Sequence, residues 1–212
     1  MGETLGPYFN ALWNEVAWLY AKWSEYDELF GKKPSRIDLL NDAAPTFFHI
    51  VQDCLFKDII LHIARLTDSP KSVGKDNLTI RRLPSLISSD NLKAKVEKLI
   101  EETIKKADFC RDWRNRTLAH KDLKLSIADE AVPLKPASRK KIKDVLKSIS
   151  SIMNEISKKY MNTTIIFNGF GKLRGAKALL YIIDDGINAD KMRRERIRLG
   201  KFTKDDLKQK NL

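Results

Sequence analysis

Apolar residues recur every three or four positions along stretches of about twenty residues, and this periodicity constrains the fold more than any other feature of the chain. Ile142, Val145, Leu146, Ile149, Ile152, Met153 and Ile156 form the clearest seam. At about 100° per residue they share one helical face, the pattern by which helices pack side by side. Leu12, Val16, Leu19 and Trp23 repeat it, as do Val96, Leu99, Ile100, Thr103, Ile104, Ala107 and Cys110. Only 9 Gly and 7 Pro stand among 212 residues, too few for the many tight turns of an all-β chain. The expected fold is all-α: a helical bundle of four to five long helices, with short extra helices and a basic C-terminal helix or tail.

Start and stop signals bound the elements. A first helix is expected over residues 4–30, stopped by Gly31, Lys32, Lys33 and Pro34. Residues 35–41 fit one short helical turn. A second long helix opens at Pro45, whose fixed φ suits the first helical position, and runs to Leu66. Its apolar residues wrap most of the circumference, so it is expected to be central and buried. Residues 68–77, with Pro70 and Gly74, read as a loop, and Asn77 as the cap of a short segment over 78–87. Ser89 or Asp90 caps a third long helix reaching about Leu118. A long connection follows over 121–136. Ser138 caps a fourth helix to about Tyr160, residues 164–167 fit a short strand, and a last helix begins near Ala176 and continues as the tail. The domain expectation is a helical domain over 1–190 and a basic extension over 191–212.

The formal net charge is +12, which favours polyanionic partners. From Lys191 onward nine Lys or Arg face Glu195, Asp205 and Asp206, so half of the excess lies in the last tenth of the chain. That tail reads either as a solvated helix or as a binder of the RNA backbone. It lacks the apolar face a membrane surface would need, so no membrane partner is expected. Cys54 and Cys110 sit in apolar helical contexts and read as reduced core residues. No CxxC or His/Cys cluster occurs, so neither a metal nor a cofactor is expected. The chain opens on no basic-then-apolar leader, and no apolar run nears the ~20 residues that span a bilayer, so the expected location is the cytoplasm.

The densest chemistry lies at the end of the third helix, in FCRDWRNRTLAHKDL from Phe109 to Leu123. On an unbroken helix projected from Val96, Arg114 falls in the middle of the apolar stripe, at about 0°. Phe109, Arg116, His120 and Trp113 fall near 200–260°, on another face. Exposed Phe109 and Trp113 would be costly in a monomer, so that face is expected to meet another helix of this chain or a second subunit. The bland alternative is a salt-bridged surface with a histidine favoured by the helix dipole. Elsewhere, His62 reads as a core histidine and His49 as structural, while Arg65 and Asp68 either reach the motif or cap the helix they end, the cap being favoured.

Arg114, then five residues, then His120, with the polar Asn115 after the arginine, resembles the defining motif of the HEPN superfamily, an all-helical group. Arg116 is too close to His120 to be the motif arginine, and Arg111 too far. KWSEYDELFGKKPSRIDLLN from Lys22, FFHIVQD from Phe47, ARLTDSP from Ala64 and RNRTLAHKDL from Arg114 are similar, in order, to the AbiU-type branch linked to abortive phage infection. The likeness spans roughly residues 8–185 and leaves the basic tail unmatched.

The resemblance implies a HEPN-like bundle and metal-independent cleavage of RNA by attack of a 2′-hydroxyl on the adjacent phosphate. Arg114, His120 and Asn115 would be the catalytic set. A histidine is the natural acid or base near neutral pH, and an arginine the natural bidentate holder of phosphoryl oxygens. Arg111, Arg116 and Lys121 would bind RNA, Asp122 would orient His120, and Phe109 and Trp113 would lie at a dimer interface. The implied partners are RNA, a second copy of the chain, and a neighbouring antitoxin or defence protein. The implied role is that of a toxin or phage-defence effector. The alternative is a non-cleaving RNA- or protein-binding dimer.

Overall fold

Where the three-and-four spacing is sustained, the chain is helical. The computed structural model describes residues 1–72, 74–119, 121–127, 132–169 and 174–208. Its helices are α1 (Gly2–Phe30), α2 (Pro34–Ala43), α3 (Pro45–Leu66), α4 (Leu83–Leu86), α5 (Asp90–Lys106), α6 (Asp108–Trp113), α7 (Leu123–Ser126), α8 (Arg139–Met161) and α9 (Ala176–Arg198). The β-structure described is one hairpin, β1 (Lys71–Ser72) against β2 (Lys75–Asp76), with Lys71 opposite Asp76. Helix makes up 77% of the described residues, so the fold is all-α and fits the HEPN-like expectation.

The larger of two compact units comprises Met1–Ser24 and Asp53–Gly171. Leu12 and Leu19 of α1, Ile59, Ile60 and Ile63 of α3, and Ile142, Leu146 and Ile149 of α8 are fully buried in it. Each such side chain contributes about 1.5–3 kcal/mol of transfer free energy. α5 packs along α8. Ser138 caps α8 by accepting from the Lys141 N–H at 3.2 Å. The loop after α3 is fixed from within this unit. The Tyr8 hydroxyl donates to Thr79 O at 2.8 Å and accepts from Thr79 N at 2.9 Å. The Thr79 hydroxyl reaches Leu66 O and Asp68 O at 2.9 and 2.8 Å. The end of α3 and Asp68 are thereby held in one place.

The smaller unit comprises Glu25–Gln52 and Lys172–Leu212. α2 packs against α9, with Leu40 and Leu180 buried. The Glu25 carboxylate accepts the Ala176 N–H at the positive end of α9. A Cβ on Gly175 would collide with that carboxylate, which is why glycine stands there. Past α9, Arg196 forks onto the buried Asp206, and Thr203 also donates to that carboxylate. Arg196, with the Thr203 N–H next, holds the Asp206 carboxyl far below the usual carboxylate range.

Several expectations are corrected. The third helix does not run unbroken to Leu118: α5 ends at Lys106, and Ala107 separates it from α6. Residues 164–167 form no strand. The Asn154 side chain satisfies both backbone groups of Ile165, accepting from its N–H at 2.6 Å and donating to its carbonyl at 3.1 Å, so no neighbouring strand is required. Asn77 caps nothing, its amide being bound to Ser69 O and Ser72 Oγ; Thr79 caps the short 3₁₀ turn Ile80–Arg82 instead. Cys54 is exposed rather than in the core, whereas Cys110 is buried and burial pushes its thiol pKa up. The first turns of α3 are not enclosed either: Phe47 and Ile50 are 59% and 55% exposed, and Phe48 alone among them is buried. His49 is likewise exposed.

Candidate active site

The motif sits where the helix changes pitch. The Cys110 N–H returns to Ala107 O at 2.9 Å, starting α6 afresh. From Arg114 to Leu118 the backbone then widens into a π-helical turn. Its signature is the Ala119 N–H donating to Arg114 O, five residues back, at 2.8 Å. Such turns are rare and concentrate at functional sites. One further backbone bond, Asp122 N–H to Arg116 O at 3.0 Å, folds the following chain back onto the turn. Projection at a constant 100° fails across this segment, because the π turn admits an extra residue and Ala107 has already reset the phase.

Arg114 and Arg116 emerge to different surroundings. The Arg114 guanidinium is half-buried and pairs with the Asp68 carboxylate through one terminal nitrogen. Its Nε donates to Asn115 Oδ1 at 3.0 Å. Arg111 converges on the same place, donating to Thr67 O at 3.1 Å and lying 4.0 Å from Asp68. Two guanidinium groups therefore share one carboxylate at the end of α3, leaving a net positive charge beside the motif.

Arg116 is laced into the segment before α8. It donates to Val132 O at 2.6 Å and lies 3.7 and 3.5 Å from the carboxylates of Asp112 and Asp122. The same segment is bound by Trp113, whose indole N–H donates to Lys135 O at 2.9 Å, by Asp112 at the Lys135 N–H, and by Asp108 at the Lys135 ammonium. Asp122 caps α7, accepting the Leu125 N–H at 3.2 Å. That bond first, then Arg116, lowers its pKa. Lys121 is exposed.

Of the residues singled out from the sequence, Arg111, Arg114 and Asn115 are brought together, while Arg116 and Asp122 face another cluster. His120 lies outside the described residues. Asp68, read from sequence as a helix cap in preference to a site residue, is the partner of two arginines, the less favoured of those two readings; Arg114 lies 46 residues away in the sequence. Of the two expectations for Phe109 and Trp113, contact with other helices of this chain is the one the structure shows. Phe109 is 4% exposed with Lys141 over its ring, and Trp113 lies edge-on to Phe56 at 5.9 Å. That aromatic face is covered by this chain's own residues. The large apolar side chains left open near the motif are Leu123, Ile127 and Val132, at 71%, 60% and 74%.

Among the described residues, no three His, Cys, Asp or Glu side chains converge as metal ligands, and no helix is long and apolar enough to cross a membrane.

Set beside known protein families, residues 2–179 match the HEPN_AbiU2 (AbiU2) family model. The chain belongs to the AbiU2 family. The match covers the four ordered segments and the Arg-to-His motif, and it indicates an abortive-infection-related function. No curated protein and no solved structure matches.

Proposed function

We propose that this AbiU2-family chain is a metal-independent endoribonuclease that acts as a toxin or phage-defence effector, with Arg114, Asn115 and His120 as its catalytic set. The observation that carries the reading is the pair Arg114 and Arg111 converging on one carboxylate at a π-helical turn directly before His120. A single carboxylate is a displaceable occupant, and a phosphate offers the same planar fork of oxygens to the guanidinium. The 2′-hydroxyl oxygen forms a bond to phosphorus as the bond from phosphorus to the 5′-oxygen breaks. A base takes the 2′-proton, an acid returns a proton to the 5′-oxygen, and Arg114 stabilises the crowded phosphorane. The products are a 2′,3′-cyclic phosphate and a 5′-hydroxyl.

Base and acid are two roles, and each chain brings one motif histidine. Two copies meeting about a two-fold axis supply both, as an isologous dimer does. The exposed Leu123, Ile127 and Val132 beside the motif favour that contact over the covered Phe109 and Trp113. Arg111 and Lys121 add positive potential along the RNA path. A second reading, a HEPN-like dimer that holds RNA or a protein without cutting, is favoured by the ion pair that already occupies Arg114.

Incubation of the pure chain with mixed RNA in EDTA separates the two. Cleavage that persists in EDTA and is lost in His120→Ala and Arg114→Ala supports the nuclease. Equal RNA binding with no cleavage by any of the three supports the second reading. Sedimentation that finds only monomer at working concentration argues against the shared site.

A further inference from the structure

Asp68, the partner of Arg114, also borders a cavity of about 310 Å³ walled by Glu15, His62, Arg65, Asn77 and Leu78. That volume is at the lower end of the range for small-molecule pockets, roughly 300–1,000 Å³, and suits one planar heterocycle. His62 is 1% exposed, yet neither ring nitrogen has a hydrogen-bond partner. Its Nε2 lies 2.9 Å from Glu15 Oε2, at ion-pair distance but without hydrogen-bond alignment. Both ring nitrogens are closed to solvent, so the imidazole serves as a wall of the cavity and leaves the polar contacts to the side chains around it. Burial first and the Lys22 ammonium second push its pKa down to about 4, so at neutral pH that wall is uncharged. Glu15 adds two acceptor oxygens, Arg65 stands 3.6 Å from them with its side chain 58% exposed, and Leu78 adds an apolar wall.

We propose that this cavity is a nucleobase subsite selective for guanine, taking the base next to the phosphate that Arg114 holds. The proposal rests on the RNA-cleaving reading above. Guanine alone among the four RNA bases pairs two adjacent donors, N1–H and the exocyclic amine, with two adjacent acceptors, O6 and N7. The first edge matches the Glu15 carboxylate and the second the Arg65 guanidinium. Adenine and cytosine put an acceptor beside their amine, and uracil offers a single donor. Asp68 is common to the cavity wall and to the arginine pair, so base and phosphate would be read side by side.

The test is a calorimetric titration of the full chain with the four nucleoside 5′-monophosphates, alongside mapping of cut sites in mixed RNA. Guanosine monophosphate is expected to bind at least roughly tenfold more tightly than the adenosine nucleotide. Glu15→Gln, which exchanges one acceptor for a donor, and Arg65→Ala should each remove most of that preference while helical content by circular dichroism stays unchanged. Cuts should cluster beside guanine in the parent and scatter in Glu15→Gln. Equal binding of all four nucleotides, or a preference that survives Glu15→Gln, overturns the subsite. A chain that cuts RNA without base preference leaves the nuclease standing and removes the subsite. A chain that cuts nothing but binds guanosine monophosphate through Glu15 does the reverse.

Discussion

Arg114 and Arg116 are two residues apart on one turn, yet they are held in different ways. Arg114 meets one side-chain carboxylate and a neighbouring amide, whereas Arg116 meets two backbone carbonyls and two carboxylates around the segment leading to α8. The first arrangement can exchange its carboxylate for a phosphate. The second cannot release its guanidinium without loosening the chain that it secures. If Arg114 binds the phosphate as proposed, what would set it apart from Arg116 is the number and kind of its existing partners.

Removing each arginine in turn tests the contrast most strongly. Arg114→Ala should lower RNA cleavage by about 10²–10³-fold, the usual loss when one transition-state donor is deleted, with only a minor change in melting temperature. Arg116→Ala should reverse the balance, losing roughly 1 kcal/mol of stability in urea denaturation and less than tenfold in rate. Equal effects of the two on cleavage would break the distinction.

His62 offers a pH-dependent test on the Arg114 side. Its pKa falls from 6.5 to about 4 in the fold, chiefly by burial, with Lys22 and Arg65 lowering it further and Glu15 and Asp58 opposing them. Between those values the unfolded chain binds a proton that the native chain does not, so native stability falls as the pH drops from about 6.5 towards 4. The full effect is at most about 3.5 kcal/mol, because each tenfold loss of proton affinity corresponds to roughly 1.4 kcal/mol. Above pH 6.5 this contribution is constant. Urea midpoints measured from pH 7 to pH 4.5 should fall steeply in the parent and less steeply in His62→Gln; parallel slopes would show that His62 is not the group responsible.

The contrast between the arginines was only half legible in the sequence. The motif spacing singled out Arg114 over Arg116, and the apolar seams located the ends of α8 and the start of α9 to within a residue or two. What stayed hidden was the phase beyond Ala107. Residues 107–118 carry no Gly or Pro, and neither the break nor the π turn has a signature in composition. An unbroken projection therefore put Phe109 away from the core face and left open whether this chain or a second subunit covers it; this chain does. Asp68 was legible only as one of two alternatives, a cap or a site residue: its role depends on the tertiary approach of α3 to the turn, which periodicity does not encode. His62 was legible as buried, but the 2.9 Å approach of the Glu15 carboxylate of α1 to its Nε2 becomes visible only in the tertiary structure. The segment around Ile165 is a case of β-branched propensity overridden by one side chain, Asn154, that occupies the backbone bonds a neighbouring strand would make.

The smallest expected effect is on the Arg116 side, at Asp122. Its carboxylate caps α7 and touches Arg116, and that capping bond is the largest cause of its lowered pKa. α7 has only four residues, so the cap governs a local equilibrium rather than the global one. Asp122→Ala should therefore speed amide exchange at Leu125, whose N–H bonds the carboxylate, and at Ser126, whose N–H bonds Asp122 O at 3.0 Å, while the urea midpoint barely moves. If Asp122 instead serves chiefly to orient His120, the same substitution would leave exchange at Leu125 unchanged and shift the pH profile of RNA cleavage, because an imidazole that loses a carboxylate neighbour titrates lower. Measuring exchange and the pH profile on one preparation decides between a cap and a positioning residue, and with it whether the Arg116 side of the turn takes part in the chemistry or only holds the chain in place.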